Sequence, residues 1–164
     1  AGHLALARLE QTFAGEVVLV TQNVDDLHEK AGSRKVMHMH GALKGALCAA
    51  CDHRWPAPLA MAPGDACPQC GAPRARPDIV WFGEMPYDME EIYAHLADAD
   101  LFASIGTSGN VYPAAGFVSE ARRYGARTME FNLEPSAVGG LFDDIRIGPA
   151  TRTLPVWVAE VLNE

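Results

Sequence analysis

The chain has 164 residues, 49% of them hydrophobic, and a formal net charge of -8 at pH 7. This size and hydrophobicity exclude a disordered chain, and the acidic balance argues against a nucleic-acid binder, which needs a surplus of Lys and Arg. Because the sequence has no run of about eighteen apolar residues and no basic-then-apolar leader, we expect no membrane association and a cytoplasmic location.

Apolar periodicity predicts helices that alternate with strands along most of the chain. Residues 2–13 have leucines at helical spacing, and they lead into a buried strand at residues 17–20. This alternation is typical of an α/β fold with a doubly wound parallel, Rossmann-like sheet. The strand and turn that normally open such a sheet are missing, so we expect the sheet to be incomplete on its N-terminal side. The other predicted strands are residues 36–40, 79–82, 101–105, 128–131 and 145–147, and the other predicted helices are residues 25–30, 89–97, 113–124 and 154–162.

The segment of residues 44–78 is rich in proline and glycine, which leaves little room for regular elements. It contains two Cys-x2-Cys pairs, with fifteen residues between Cys51 of the first and Cys67 of the second. Two such pairs can place four thiolates around one tetrahedral zinc ion and leave no position open for substrate. We therefore predict a structural zinc ribbon, formed by Cys48, Cys51, Cys67 and Cys70, in preference to two redox-active pairs. This inserted module divides a Rossmann-like domain into residues 1–43 and residues 79–164.

Polar turns follow three of the predicted strands at their carboxyl ends, where ligands bind in open α/β sheets. Glycine lets a ligand approach the backbone, and hydroxyl groups can donate to phosphate or ribose. A single turn of this kind is more often an ordinary loop, but three in one sheet favour a nucleotide site. The sequence contains no Gly-x-Gly-x-x-Gly pyrophosphate turn. The three turns are Thr21-Gln22-Asn23, Gly106-Thr107-Ser108 and Asn132-Leu133-Glu134.

Together these motifs resemble the sirtuins, the NAD-dependent protein-lysine deacylases, and in particular those of bacterial type. The resemblance keeps the family's motif order over nearly all of the 164 residues. The motifs that carry it are Thr21-Gln22-Asn23-Val24-Asp25, Leu27-His28, Ala31-Gly32, His40-Gly41, the two Cys-x2-Cys pairs, Val80-Trp81-Phe82-Gly83-Glu84, Gly106-Thr107-Ser108 and Asn132-Leu133-Glu134.

The resemblance implies a role for each matching residue. His40 is expected to act as the general base that takes a proton from the nicotinamide ribose, since imidazole titrates near working pH. Asn23 is expected to order that ribose or a water beneath it, and Asp25 to hold the nicotinamide carboxamide. An isolated histidine is more often an ordinary buried residue, but the neighbouring motifs favour the base. The other implied NAD contacts are Gln22 and Val24 near His40, Gly106, Thr107 and Ser108 on the phosphate side, Asn132, Leu133 and Glu134 at the adenosine ribose, and Ala150 at adenine.

The resemblance also implies how a protein substrate binds. Val80, Trp81, Phe82, Gly83 and Glu84 resemble a strand that pairs with the backbone of an acyl-lysine substrate. Trp81 and the phrase Trp-Phe-Gly-Glu-Met-Pro favour the branch that removes succinyl or malonyl groups, and deacetylation remains compatible with the sequence.

Two departures from the family pattern matter. The Gly-Ala-Gly phosphate turn that opens the family's domain is absent, so we expect this segment alone to be inactive and to need an N-terminal segment to complete its NAD site. Asp26 stands where Gly or Asn is commoner, and we expect it to be tolerated.

Two competing interpretations have features in their favour. The chain can be a non-catalytic zinc-ribbon module that binds a protein partner, although the cluster of His40, Asn23 and Asp25 argues against it. It can also be a nicotinamide-dependent dehydrogenase, since that class shares the sheet type. Release of free nicotinamide, rather than formation of reduced cofactor, separates a deacylase from a dehydrogenase.

Overall fold

The protein is described by a computed structural model in which residues 1–163 are placed. It contains helices alternating with short strands, in the order predicted for most of the chain. In chain order the elements are α1 (Gly2–Thr12), β1 (Leu19–Thr21), α2 (Leu27–Ala31), β2 (Val36–His38), β3 (Gly41–Cys48), β4 (Arg54–Pro56), β5 (Ala75–Ile79), α3 (Met89–Asp98), β6 (Leu101–Ile105), a 3-10 turn (Ala114–Gly116), α4 (Phe117–Arg123), β7 (Arg127–Asn132), a second 3-10 turn (Gly139–Leu141), β8 (Asp144–Ile147) and α5 (Ala150–Leu162).

The chain divides into two compact units. We call the first the helix-rich unit, and it consists of Ala1–Val18, Ala31–Arg34 and Glu90–Glu164. We call the second the ribbon unit, and it consists of Leu19–Lys30 and Lys35–Met89.

The helix-rich unit is built on a parallel sheet in the order β6-β7-β8. Residue Phe131 of β7 is fully buried and its ring centroid lies 5.1 Å from that of Trp157 on α5. Leu154 and Val158 of α5 complete the same core, against Leu9 of α1. Each large apolar side chain buried in this way contributes about 1.5–3 kcal/mol to folding, so β7, α5 and α1 are held together mainly by this cluster.

The ribbon unit contains a parallel pair, β1 with β2, and a separate antiparallel sheet in the order β4-β3-β5. The pairing of β1 with β2, and of β6 with β7 and β8, confirms the predicted parallel α/β class. The prediction of little regular structure at residues 44–78 was wrong, since three strands cover part of that segment. Proline is accommodated because Pro56 and Pro77 lie on β4 and β5, the two edge strands, where proline is tolerated.

Several predicted element boundaries were also wrong, and two of them bear on the site. The strand predicted at residues 79–82 ends at Ile79, and the residues after it form a turn. The last helix begins at Ala150 instead of residue 154 and includes Pro155. Pro155 is the sixth residue of this helix and has no N–H, so it cannot donate to the carbonyl of the exposed Thr151 four residues earlier.

Candidate functional site

The four cysteines of the ribbon unit come together as predicted. Their sulfur atoms all lie within 4.8 Å of one another. Cys48 Sγ is 3.7 Å from Cys70 Sγ, and Cys51 Sγ is 3.8 Å from Cys67 Sγ. A tetrahedral zinc ion with four Zn–S bonds of about 2.3 Å requires its sulfurs to be about 3.8 Å apart. The cluster therefore has the size and donor set of a four-thiolate zinc site.

The backbone around the cysteines favours thiolates. The amide of Ala50 donates to Cys48 Sγ and the amide of Gln69 donates to Cys67 Sγ, both at 3.4 Å. Burial raises the pKa of Cys67, but backbone N–H donors and the neighbouring cysteines lower it further, to about 7. At Cys51 a backbone bond at His53 lowers the pKa, but the other three sulfurs outweigh it and raise the pKa to about 12. A cation bound among the four sulfurs would therefore displace a proton from Cys51.

His40 follows the end of β2, and its imidazole has a defined orientation. Its Nδ1 lies 3.1 Å from the backbone oxygen of Gln22. Because a carbonyl oxygen can only accept, Nδ1 must carry the proton in this contact. In the neutral ring Nε2 then has a free lone pair, which is the requirement for a general base.

The backbone on both sides of His40 is fixed by the rest of the ribbon unit. The carbonyl of His40 accepts from the amide of Val80 at 2.9 Å, and the carbonyl of the fully buried Met39 accepts from Tyr87 at 2.9 Å. Gly41 has φ +76°, and a Cβ at this position would lie 2.1 Å from the carbonyl oxygen of Asp78. Only glycine fits here, so the His-Gly pair has a steric reason as well as a chemical one.

The predicted residues that precede α2 are also held in place, each by a different contact. The amide of Asn23 donates to Thr21 Oγ1 at 3.1 Å, and its carbonyl oxygen lies 3.3 Å from His38 Nδ1. Asp25 Oδ1 accepts from the amide of Leu27 at 2.9 Å, as a helix-capping carboxylate does. The carbonyl of Val24 accepts from Leu43 at 2.9 Å.

His38 links the residues before α2 to the helix itself, because its two ring nitrogens contact Asn23 and Glu29. Its Nε2 lies 2.7 Å from Glu29 Oε1, and the side chain is 17% exposed. Burial raises the pKa of Glu29, but the bond to His38 outweighs it and holds the pKa below its usual value.

The five residues predicted to bind substrate form an exposed turn, not a strand. The amide of Glu84 donates to the carbonyl of Trp81 at 2.9 Å, and Glu84 Oε2 accepts from the amide of Trp81 at 2.9 Å. Such local side-chain bonds compete with strand formation. Trp81 is 51% exposed and Phe82 is fully exposed. Among the predicted residues, only Val80 of this turn is bonded to His40.

The remaining predicted NAD contacts lie in the helix-rich unit, on loops that follow neighbouring strands. Asn132, at the end of β7, donates from Nδ2 to the carbonyl of Thr107 at 2.8 Å and thereby joins the loop after β6. Its own carbonyl accepts from Gly148 at 2.9 Å, and Gly148 precedes α5, which Ala150 begins. The structure therefore brings the loops after β6, β7 and β8 together around Asn132.

The side chains of these loops leave polar groups available. Gly106 has φ +64°, and no atom lies within 4 Å of the place where a Cβ would be. Thr107 Oγ1 and Ser108 Oγ accept from the amides of Gly109 and Asn110 at 3.4 and 3.3 Å, so each hydroxyl proton can still be donated. Leu133 and Glu134 are exposed. The predicted helix at Pro113 begins instead as the 3-10 turn Ala114–Gly116.

The sequence analysis missed one residue that organises the candidate site. Arg76 of β5 binds Glu84 with both terminal nitrogens, at 2.6 and 2.7 Å. In the sequence this contact is visible only as an arginine eight residues before a glutamate. That spacing predicts no contact unless the turn between the two residues is known.

Over residues 1–163, no helix has the length and apolar character needed to cross a bilayer.

Comparison with known proteins gives consistent matches. The Sir2 family profile matches residues 1–113. An NAD-dependent protein deacylase of Caulobacter vibrioides is 54% identical over 166 residues, covering 99% of this chain and 70% of that protein. An NAD-dependent protein deacylase of Salmonella typhimurium is 50% identical over 164 residues, covering 99% of this chain and 60% of that protein. The chain thus spans 60–70% of the length of these two relatives.

Solved structures match as well. A Sir2 homologue in complex with NAD superposes with a TM-score of 0.90 at 34% identity, over 99% of this chain and 64% of that one. Sir2Af2 bound to a myristoylated histone peptide superposes with a TM-score of 0.82 at 31% identity, over 99% of this chain and 71% of that one. With the profile match, the relatives at 50% identity or more and the shared Rossmann-like fold, this chain belongs to the Sir2 family.

Proposed function

We propose that the chain supplies the catalytic histidine, the zinc module and part of the NAD site of an NAD-dependent protein-lysine deacylase. The reaction transfers an acyl group from lysine to ADP-ribose and releases nicotinamide. Its support is the sequence identity to proteins with this activity and the orientation of the His40 ring. A zinc-ribbon module without catalysis has no use for an imidazole oriented in this way, and we do not favour it.

The observation that carries the proposal is the bond from His40 Nδ1 to the carbonyl of Gln22. It fixes the tautomer, so that Nε2 would be able to take a proton from a ribose hydroxyl of bound NAD. Bound NAD supplies an anomeric carbon from which nicotinamide leaves. Gln22, Asn23, Val24 and Asp25 are proposed to hold its nicotinamide ribose and carboxamide. Gly106, Thr107 and Ser108 are proposed for the phosphates, Asn132, Leu133 and Glu134 for the adenosine ribose, and Ala150 for adenine.

We propose acyl-lysine proteins as substrates. A related Sir2 protein binds an acylated histone peptide, and the turn of residues 80–84 is exposed and bonded to His40 through Val80. Phe82 and Gly83 have backbone groups that make no backbone hydrogen bond within residues 1–163, and these can pair with a peptide. The acyl group is acetyl or succinyl, and the sequence around Trp81 favours succinyl.

The zinc module is proposed to be structural, because four protein sulfurs fill the shell of the metal. Thiolate sites of this kind persist in a reducing compartment, which supports a cytoplasmic location. The division into residues 1–43, 44–78 and 79–164 is retained as a proposal for how the Rossmann-like domain accommodates the module.

The test is a mass spectrum of acetyl-lysine and succinyl-lysine peptides after incubation with and without NAD. It is made on this chain and on a version lengthened at its N-terminus to the length of the Caulobacter relative. We expect acyl loss and free nicotinamide only with NAD, and at least a hundredfold lower rate for His40→Asn. His95→Asn is the matched control, since His95 lies on α3, is not among the proposed NAD or peptide contacts, and has its Nε2 3.8 Å from Glu91. Absence of acyl loss from both proteins, or an undiminished rate for His40→Asn, overturns the proposal.

A further inference from the structure

The turn of residues 80–84 lacks packing of its own. Phe82 is fully exposed, Trp81 is 51% exposed and Met85 is 77% exposed. Gly83 adopts φ +90°, and no atom outside its chain neighbours lies within 4 Å of the position that a Cβ would occupy. A turn of this composition needs an anchor outside itself if it is to keep one conformation before a partner arrives.

Arg76 is that anchor, and it reaches both ends of the turn. Its Nη1 donates to Glu84 Oε1 at 2.6 Å and its Nη2 donates to Glu84 Oε2 at 2.7 Å. The same Nη2 donates to the carbonyl of Ile79 at 2.7 Å, directly before the turn. The paired contact of guanidinium with carboxylate fixes direction as well as distance, because both groups are planar.

Arg76 also covers one of the two aromatic rings of the turn, that of Trp81. Its guanidinium carbon lies 4.0 Å from the centroid of the Trp81 ring, within the range of a cation–π contact. Glu84 continues the chain of contacts, since Oε2 accepts from the amide of Trp81 at 2.9 Å. The Arg76 side chain is 15% exposed, which limits competition from water.

The ionisation of Glu84 agrees with this geometry. The hydrogen bond from Arg76, followed by the one from the amide of Trp81, lowers the pKa of Glu84 to about 2. The carboxylate therefore stays charged, and the ion pair stays formed, at any pH at which the protein is assayed.

We infer that Arg76 is a positioning residue for the substrate: through Glu84 and the Trp81 ring it holds the turn of residues 80–84 in one conformation before an acyl-lysine peptide binds. This inference rests on the proposed function, which makes that turn the peptide site. Arg76 does not touch NAD or the reacting atoms in this role. Because the turn is already ordered, less conformational entropy is lost when the peptide binds. Arg76 is therefore expected to affect the affinity for the peptide.

The first test measures the KM for the peptide and the KM for NAD separately, in the deacylase assay described above. We expect Arg76→Gln to raise the peptide KM about tenfold, with kcat and the KM for NAD within about twofold of the wild type. Arg76→Lys, which keeps the charge but loses the paired geometry, is expected to recover part of the loss. Arg74→Gln is the matched control, because Arg74 is exposed, carries the same charge and lies two residues away.

The second test needs no activity. Hydrogen exchange at the amides of Trp81 and Glu84 is expected to be at least about tenfold faster in Arg76→Gln than in the wild type or in Arg74→Gln. Glu84→Gln, which neutralises the partner, is expected to act in the same direction.

The outcomes distinguish the inference from the proposed function. Unchanged exchange and unchanged peptide KM in Arg76→Gln overturn the inference while the proposed function stands. A parallel rise in both KM values, with a lower melting temperature, shows a general structural role and also overturns it. If neither the wild-type chain nor its lengthened version releases an acyl group with NAD, the proposed function is overturned, and with it the substrate role of the turn.

Discussion

The amide of Val80 donates to the carbonyl of His40 at 2.9 Å, so the candidate base and the first residue of the candidate peptide site share a backbone hydrogen bond. His40 directly precedes β3 and Val80 directly follows β5. The bond therefore lies next to the antiparallel pair of Gly41 and Ile79. A shift in either segment therefore moves the other. In the proposed reaction the peptide and the base are positioned by the same piece of backbone.

Gly41→Ala is predicted to be the most damaging small substitution near His40. The added Cβ meets the carbonyl oxygen of Asp78 at 2.1 Å and the residue must also keep φ +76°. We expect the free energy of unfolding to fall by about 3 kcal/mol, together with a loss of deacylase activity. Chemical denaturation followed by circular dichroism gives the first quantity and the peptide assay gives the second.

Gly64→Ala is the control for this prediction, because Gly64 has φ +92° but no atom within 4 Å of its Cβ position. It isolates the cost of the backbone conformation, which is about 1 kcal/mol. Equal losses for the two variants would mean that the contact with Asp78 is relieved by a small movement.

The sequence predicted those features that depend on local spacing. The two Cys-x2-Cys pairs and the His40-Gly41 pair are short sequence motifs, so their pattern is visible without a fold. The alternation of apolar segments likewise predicted the parallel class, because buried parallel strands and amphipathic helices have different periods.

Features that depend on pairing between distant segments were not predictable in the same way. Arg76 binds Glu84 only because β5 ends at Ile79 and the chain then turns back, and a run of apolar residues at 79–82 favours a strand instead. The sequence pattern contains the apolar residues but not the competing bond from the Trp81 amide to Glu84. The strands β4 and β5 were missed because proline is usually read as a strand breaker, which holds only for central strands.

Metal removal is predicted to unfold the antiparallel sheet of the ribbon unit. One of the four clustered sulfurs belongs to Cys48, the last residue of the central strand β3, and structural zinc sites contribute folding free energy directly. We expect one zinc per chain by elemental analysis, and loss of zinc together with β-sheet signal after chelation or in Cys67→Ser. Gln69→Ala should keep a full complement of zinc, since the bond to Cys67 Sγ comes from the backbone amide at position 69. A chain that holds no zinc and keeps its fold contradicts the prediction.

The carboxyl group of Glu84 is predicted to titrate at a pH near 2. The folded pKa lies below the ordinary value of 4.5 because of Arg76 and the Trp81 amide, so the ion pair stabilises the turn fully above about pH 4.5. This stabilisation is lost as the pH falls from about 4.5 to about 2, and no change is expected between pH 6 and pH 8. Carboxyl carbon NMR shifts measured against pH give the midpoint directly.

The variant Arg76→Gln should move this midpoint towards 4.5. Asp26 is an internal reference, because hydrogen bonds from Lys30 and then Lys44 lower its pKa to about 2 without Arg76. A Glu84 midpoint that stays near 2 in the variant would assign the shift to the Trp81 amide instead.

Asn132 is predicted to be the residue on which the three loops of the helix-rich unit depend. Its amide nitrogen holds the carbonyl of Thr107 at 2.8 Å, its amide oxygen accepts from Leu133 at 3.0 Å, and its backbone carbonyl binds Gly148. Asn132→Ala removes the two side-chain bonds, each worth about 1 kcal/mol, and Asn132→Asp places a carboxylate oxygen against the Thr107 carbonyl.

Under the proposed function, Asn132→Ala should raise the KM for NAD about five- to tenfold, with peptide KM and zinc content unchanged, and Asn132→Asp should raise it further. Asn110→Ala is the matched control from the loop after β6, since Asn110 is exposed and only its backbone amide is bonded there, to Ser108. If Asn110→Ala raises the KM for NAD equally, the effect comes from the loop after β6 as a whole and not from Asn132. If Asn132→Asp leaves the KM for NAD unchanged, the three loops are not part of the cofactor site.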